Sequence, residues 1–233
     1  MADSHIDESK DASKQGLIVL LRHGETAWSV SGQHTGRTDI PLTAAGELQA
    51  SQAGHRLSRA FGGHFTPDMV YSSPLQRART TAELAGFTEA TILDGLAEWD
   101  YGRAEGRTRE ELAHANGDDW TLWRDGPESL RKDLGGDWES TLPSGEMVHV
   151  HNGEGETLDE AFERVGRVLQ TVEPLINQGS TVLMVAHAHI LRILTAHWLG
   201  LDPHVARLLR LDTAHYSVLS RYHGDNVIDH WNC

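Results

Sequence analysis

Cysteine is almost absent from this chain. Cys233 stands alone, so no intrachain disulfide can form and no bridge ties the protein to an oxidising compartment. Long apolar runs are absent too; none approaches the roughly 20 residues that cross a bilayer. Met1 to Gln15 is polar and acidic, without the basic start and apolar stretch of a secretory signal. These absences predict a cytoplasmic protein with no membrane partner. Positive charge is scarce: 20 basic residues against 34 acidic ones give a formal net charge of −14. Such a field argues against nucleic acid and anionic membranes as partners. An anionic substrate would have to be drawn in by a local cluster of arginines and histidines. Metal ligation lacks its pattern as well. His187-Ala188-His189 and His149-Val150-His151 each put two imidazoles on one strand face, but no third ligand follows at diagnostic spacing. We expect no metal and no cofactor.

What is present is an alternation of strands and helices. At 233 residues the chain is long enough for one large α/β domain. Two apolar runs, Leu17-Ile18-Val19-Leu20-Leu21 and Val182-Leu183-Met184-Val185-Ala186, read as buried parallel strands. Each ends in a histidine, His23 after Arg22 and His187 before Ala188-His189. Open α/β sheets bind ligands at the carboxyl ends of their strands. Between them the pattern predicts a loop over Ser31 to Pro41 and a helix capped by Thr43 running to about Phe61. A short strand follows at Asp68–Ser72, then a helix with Ser73 as cap and Pro74 in its first position. Arg77 falls in that helix's first turn. Residues 91–94 suit an edge strand, and helices start at Thr108 and about Trp120. Thr157-Leu158-Asp159-Glu160 is a capping box. Leu158, Phe162, Val165, Leu169, Val172 and Ile176 then mark one buried helix face, ended by Gly179. A helix over about Ile190 to Leu199 and two or three short strands between Leu208 and Ile228 complete the pattern. Residues 1–16 suit a disordered tail. The stretch 126–155 is rich in Gly, Pro, Ser and acids, shows no period, and is far longer than a usual connection of about 4–6 residues. It reads as a functional lid or a disordered loop.

Two imidazoles and an arginine at one rim suggest an anion site with a nucleophile in it. Phosphoryl transfer, for one, needs a nucleophile, a cationic cradle and an acid for the leaving alkoxide. A neutral His23 can attack phosphorus if its other nitrogen donates to a backbone carbonyl. Arg22 and Arg77 can each grip phosphate oxygens with a planar fork. A protonated His187 would add a third positive group. In Leu96-Ala97-Glu98-Trp99-Asp100-Tyr101-Gly102, Glu98 beside Trp99 is one acid, kept protonated by burial, and Asp100 is the competing one. Residue logic does not separate the two.

Five segments in order resemble the histidine phosphatase superfamily, also called phosphoglycerate mutase-like. Arg22-His23-Gly24-Glu25-Thr26 is similar to its signature. Thr35-Gly36-Arg37-Thr38-Asp39-Ile40-Pro41-Leu42-Thr43 resembles its substrate loop and helix start. Tyr71-Ser72-Ser73-Pro74-Leu75-Gln76-Arg77-Ala78-Arg79-Thr80-Thr81 resembles its second arginine motif. Leu96 to Gly102 resembles its acid motif, and Val185-Ala186-His187-Ala188-His189 its second histidine motif. The resemblance implies a three-layer α/β/α fold with a mostly parallel sheet. It implies a single domain over 17–233, with the lid-like insertion at about 126–155. It also implies a covalent phosphohistidine on His23, phosphate clamping by Arg22, Arg77 and His187, and proton donation by Glu98. Further phosphate or substrate contacts would come from Ser29, Thr35, Gly36, Tyr101 and Ala188.

The departures from that pattern are informative. Ser29 stands where the family often has Asn; it still offers one hydrogen bond, so a reshaped pocket is expected. Ala186 and Ala188 flank His187 in place of the common glycines. The Trp28-Ser29 pair and the Trp99-Asp100-Tyr101-Gly102 run look like a branch of acid phosphatases and sugar-bisphosphatases. The lysine and paired arginines of phosphoglycerate mutases are not evident; Arg103, Arg107 and Arg109 are unpaired, and Arg131-Lys132 is a weak substitute. The expected activity is phosphomonoester hydrolysis on a small phosphorylated metabolite such as a sugar phosphate. A bisphosphoglycerate-dependent mutase is the first alternative, and a phospholigand-binding protein without turnover the second. Cations for a second phosphate or carboxylate would come from Arg37, Arg103, Arg107 or Arg131-Lys132.

Overall fold

Apolar runs become the middle of the sheet. In the computed structural model, which describes residues 16–63, 65–117 and 119–233, β1 (Leu17–Arg22) pairs in parallel with β6 (Thr181–Ala186). On the far side of β6, β2 (Val70–Ser72) and the edge strand β3 (Thr91–Ile92) continue the parallel run. Beyond β1, β7 (Tyr216–Tyr222) and β8 (Asp225–His230) are antiparallel. The order is β3-β2-β6-β1-β7-β8. Side chains of a strand alternate between faces, and both faces here are covered. Ile18, Leu20, Val182 and Met184 pack under α6 (Leu158–Asn177) and α7 (Ala188–Trp198). Val19, Leu21, Leu183 and Val185 pack under α2 (Ala44–Phe61) and α3 (Gln76–Leu84). The result is the expected three-layer α/β/α arrangement with a mostly parallel sheet. Among the described residues no helix is long and apolar enough to cross a membrane.

Local chemistry sets most helix starts as read. Thr43 accepts from Gly46 N–H, and Thr157 and Glu160 form the reciprocal capping box of α6. α4 (Arg109–Asn116) likewise begins on a Thr108–Glu111 box. Two starts differ. Ser73 and Pro74 lie outside α3, whose cap position is Leu75, while Ser73 Oγ engages His187 Nε2 at 2.7 Å. α7 begins at Ala188 and not at Ile190, because its cap comes from elsewhere in the chain.

The stretch 126–155 is built. After α5 (Leu122–Asp125) and two single turns it forms a hairpin of β4 (Glu139–Thr141) and β5 (Met147–His149). Leu142, Val148 and Val150 bury against Trp28 of α1 (Ala27–Ser31) and Ile40 of the loop that follows it, in a small core of their own. Hydrophobic alternation at Val148 and Val150 around a Pro143-Ser144-Gly145 turn was the signal for it, outweighed by the polar composition. Residues 1–15 of the expected tail lie outside the described residues. Gly16, also assigned to that tail, is buried, and a Cβ there would meet Ile176 O at 2.2 Å.

Gly46 shows why a glycine sits in the first turn of α2. A Cβ there would lie 2.1 Å from Glu25 O, and a Cβ on Gly24 would lie 2.3 Å from Gly46 O. On an open helix surface, Gly→Ala gains about 1 kcal/mol. Here Gly46→Ala is expected to have the opposite sign and to cost about 1–3 kcal/mol through overpacking. Thermal unfolding should show the melting point falling by a few degrees. A rise would show that the loop can yield.

Candidate active site

Strand register builds the site. Arg22 pairs with Ala186 across β1 and β6, so the next residues, His23 and His187, leave the sheet side by side. His23 N–H donates to Ala186 O at 2.9 Å, and the two imidazole centroids are 5.1 Å apart. Ser73 N–H donates to Val185 O at 3.0 Å, which brings the start of α3, and with it Arg77, to the same rim. A cleft of about 220 Å³ opens there. Arg22, His23, Ser29, Thr35, Glu98, Tyr101 and Ala188 all reach its wall, together with Trp28, Gln33, His34 and His189.

His23 is buried and held neutral. Burial lowers its pKa well below the ordinary histidine value, and Arg77 and Arg22 push it the same way. Nδ1 lies 2.7 Å from Gly24 O; a neutral ring donates its proton there and leaves Nε2 as the lone-pair nitrogen. That is the tautomer a nucleophile requires. Arg22 donates through Nη1 to Leu211 O at 2.7 Å, while its buried Nε has no partner among the described residues. A buried donor left unpaired at a cleft wall is suited to an anion.

His187 corrects the expectation of a charged partner. It is fully buried, and burial lowers its pKa well below the ordinary value, followed by Arg77, His23 and Arg22. Arg77 Nε–H donates to its Nδ1 at 3.1 Å. The proton therefore sits on Nε2, which donates to Ser73 Oγ at 2.7 Å. Arg77 differs from expectation in a related way. It too is fully buried and absent from the cleft wall. Besides His187, it donates to Thr38 O at 3.0 Å, Thr35 O at 3.2 Å and Gly36 O at 2.7 Å. Four of its five N–H donors are engaged. Its grip is on the loop that carries Thr35 and Gly36.

The opposite polarity of that loop is held by Glu105, which the sequence reading missed. Its buried carboxylate accepts from Gly36 N–H at 3.1 Å, Arg37 N–H at 2.6 Å, and Thr38 N–H and Oγ1 at 3.2 and 2.8 Å. Burial raises its pKa, and the donors of Arg37 and Thr38 oppose that rise. A side chain on Gly36 would meet Glu105 Oε1 at 2.2 Å and Trp99 O at 2.5 Å, so only glycine allows this close approach. Nothing local in Tyr101-Gly102-Arg103-Ala104-Glu105 distinguishes this carboxylate from a surface one.

Glu98 is buried at the cleft and also caps α7. Oε1 accepts from Trp99 N–H at 2.9 Å and Ile190 N–H at 2.8 Å, and Oε2 from His189 N–H at 3.1 Å. Asp100, its rival, points elsewhere, to His151 of the hairpin segment at 3.2 Å. Burial raises the Tyr101 phenol well above its ordinary pKa, with Glu98 and Glu105 adding to it. The protonated phenol donates to His189 Nδ1. Ser29 has its hydroxyl committed: Oγ accepts from Thr26 N–H and donates to Thr26 O, both at 2.9 Å. The substrate hydrogen bond expected of Ser29 therefore competes with a helix cap. Of the cations expected to serve a second anion, Arg103 donates to Leu130 O at 3.3 Å, Arg107 to Leu134 O at 3.0 Å, and Arg131 pairs with Asp133. Arg37 lines a different cleft with Arg164 and Arg167. Among the described residues no group of three or more His, Cys, Asp or Glu side chains could hold a metal ion.

A family model described as the histidine phosphatase superfamily, branch 1, matches residues 18–233. The chain is 33% identical over 207 residues to an acid phosphatase of Mycobacterium tuberculosis, covering 89% of this chain and 87% of the relative. It is 32% identical over 208 residues to a sedoheptulose 1,7-bisphosphatase of Saccharomyces cerevisiae, covering 78% of this chain and 67% of that one. Among solved structures, an open reading frame product of Mycobacterium tuberculosis superposes with a TM-score of 0.76 at 29% identity, over 93% of this chain and 97% of the other.

The hairpin is fastened to the site by a titratable pair. His151 N–H donates to Thr38 Oγ1 at 3.0 Å while its ring meets Asp100. The hydrogen bond to Asp100 raises the His151 pKa. Its contribution is therefore fully present below the ordinary histidine value of about 6.5 and is lost as pH rises through the raised folded value. Asp100 is lowered overall: burial raises it, and the hydrogen bonds from His151 and Gly102 more than offset that. Its contribution is present above the ordinary aspartate value and is lost as pH falls through the lowered one. Protection against amide exchange over 139–149, taken relative to the intrinsic rate at each pH, should be highest between those limits and fall above the His151 value. His151→Ala should abolish the alkaline change; if it persists, the fastening lies elsewhere.

Proposed function

The chain belongs to the histidine phosphatase superfamily, and we propose that it hydrolyses the phosphomonoester of a small phosphorylated metabolite through a phosphohistidine on His23. The observation that carries this reading is the pairing of a neutral imidazole, its Nδ1 fixed by Gly24 O, with the unpartnered buried Nε of Arg22 in one cleft. In the first step His23 Nε2 attacks phosphorus, the ester P–O bond breaks, and the proton of Glu98 passes to the leaving alkoxide. Glu98 Oε1 already accepts two N–H groups and Oε2 one, so Oε2 is the oxygen freer to take part in the transfer. In the second step water attacks the phosphohistidine, its proton returns to Glu98, the N–P bond breaks, and inorganic phosphate leaves. Charge gathering on the phosphoryl oxygens is met by Arg22 and by the nearby Arg77–His187 pair. Arg77 contributes its fixed charge and holds the Thr35–Thr38 loop; His187 enters neutral and is polarised by Arg77 Nε–H.

Hydrolysis is favoured over the mutase alternative by the fate of the cations. A second phosphate held by Arg131-Lys132 would compete with the Asp133 carboxylate on an exposed turn. Non-catalytic binding is disfavoured by the nucleophile's tautomer, which binding alone does not need. A cytoplasmic location fits this reading of the substrate.

The reading is tested by phosphate release over sugar phosphates, phosphoglycerates and phosphoamino acids. His23→Ala should lower release by about 10³-fold or more. Acid-labile label should be trapped on the native chain and not on the variant. Release at the native rate by His23→Ala would overturn the reading. Isomerisation of phosphoglycerate outpacing release, dependent on a bisphosphate primer, would replace it with the mutase.

A further inference from the structure

His34 and His189 belong to two cavities. Besides the catalytic cleft they line a second cavity of about 370 Å³, the outer chamber, which His23 does not line. Its other walls are Trp120, Trp123, Arg109 and Arg207. The inner cleft offers about 220 Å³ and holds the nucleophile.

The chamber's chemistry is unlike the rest of the surface. The chain carries a formal net charge of −14, yet none of the described residues lining this cavity is Asp or Glu. Arg109 and Arg207 come from α4 and from the Pro203–Leu208 turn, remote in sequence, and meet at one cavity. Neither pairs with a carboxylate among the described residues. Other arginines of that region are engaged: Arg124 by Asp119 and Asp125, Arg131 by Asp133, and Arg192 by Ala206 O with its guanidinium over Trp123. The lining histidines bring no charge of their own. Burial lowers the pKa of both His34 and His189, and Arg192 adds to the shift at His189. The chamber thus has apolar indole walls, a neutral polar neck and two uncommitted guanidinium groups.

We infer that the outer chamber takes the alcohol portion of the substrate, that this portion is of monosaccharide size or larger, and that Arg109 and Arg207 bind a second anionic group on it. The inference rests on the phosphomonoesterase reading above. Its volume falls within the range of small-molecule sites, about 300–1,000 Å³, so a two- or three-carbon alcohol leaves it largely unfilled. Two planar forks facing an anion supply charge-assisted hydrogen bonds. Carbohydrate C–H faces suit the indole walls.

The experiment compares kcat/KM for glycerol phosphate, a neutral hexose monophosphate and a hexose bisphosphate, on the native chain and on Arg109→Ala and Arg207→Ala. The native chain should prefer the bisphosphate, then the hexose monophosphate. Each substitution should cut the ratio of bisphosphate to glycerol phosphate about tenfold, with Arg→Lys restoring part of it. An unchanged ratio, or glycerol phosphate as the best ester, would overturn the inference. If no ester is turned over, the phosphatase reading fails by itself. The chamber is then judged by calorimetric titration of the His23→Ala chain. Hexose bisphosphate binding tighter than inorganic phosphate, and weakened by Arg109→Ala, would uphold it, and equal binding would overturn it.

Discussion

The parallel pairing of β1 with β6, in the register that sets Arg22 against Ala186, is the constraint on which the site depends. It brings together two histidines separated by most of the chain's length. A slip of one residue would turn every side chain of β1 to the other face, exchanging Ile18 and Leu20 for Val19 and Leu21 between the two cores. Both cores hold that register in place, since each takes alternate residues from both strands. The chemistry at the rim therefore rests on the packing of the whole domain, and the His23–His187 approach of 5.1 Å is its product.

Around that rim, buried charge does more positioning than binding. The loop Thr35–Thr38 has its carbonyls taken by Arg77 and its N–H groups by Glu105, both fully enclosed. Each charge would be costly alone, and each is satisfied by backbone dipoles of the same loop. Glu98 plays a comparable part at the start of α7, where its oxygens receive the N–H groups that a local cap would otherwise serve. Burial drives His23 and His187 toward their neutral forms, and Arg77, which ties down the loop, pushes both the same way. The neutral imidazoles and the order of the loop thus share one cluster, in which the buried Nε of Arg22 has no partner among the described residues.

Much of this was legible wherever a signal was local. Continuous apolar runs marked β1 and β6 to within one residue of their observed bounds, and Thr157 with Glu160 marked the start of α6. Reading failed where a tertiary partner replaced a local one. α7 was placed two residues late because its cap, Glu98, lies some 91 positions earlier in the chain. Ser73 looked like a helix cap, but its hydroxyl serves His187. The hairpin at 139–149 was hidden by its polar composition, since only Leu142, Val148 and Val150 needed to be apolar to reach Trp28 and Ile40.

The sequence by itself determined which strand ends present the residues of the rim, because hydrophobic pattern and turn chemistry act over a few residues. It named Arg22, His23, Glu98 and His187, all of which meet at one rim. Only the tertiary structure decided that the two histidines sit neutral and which donors each arginine commits. Protonation depends on burial and on neighbours brought from distant segments, and so does the commitment of each arginine's donors. Arg77 became a brace and His187 a neutral partner for that reason. Arg109 and Arg207, unremarkable as sequence, come to line one cavity because α4 and the 203–208 turn meet there, and neither pairs with a carboxylate among the described residues.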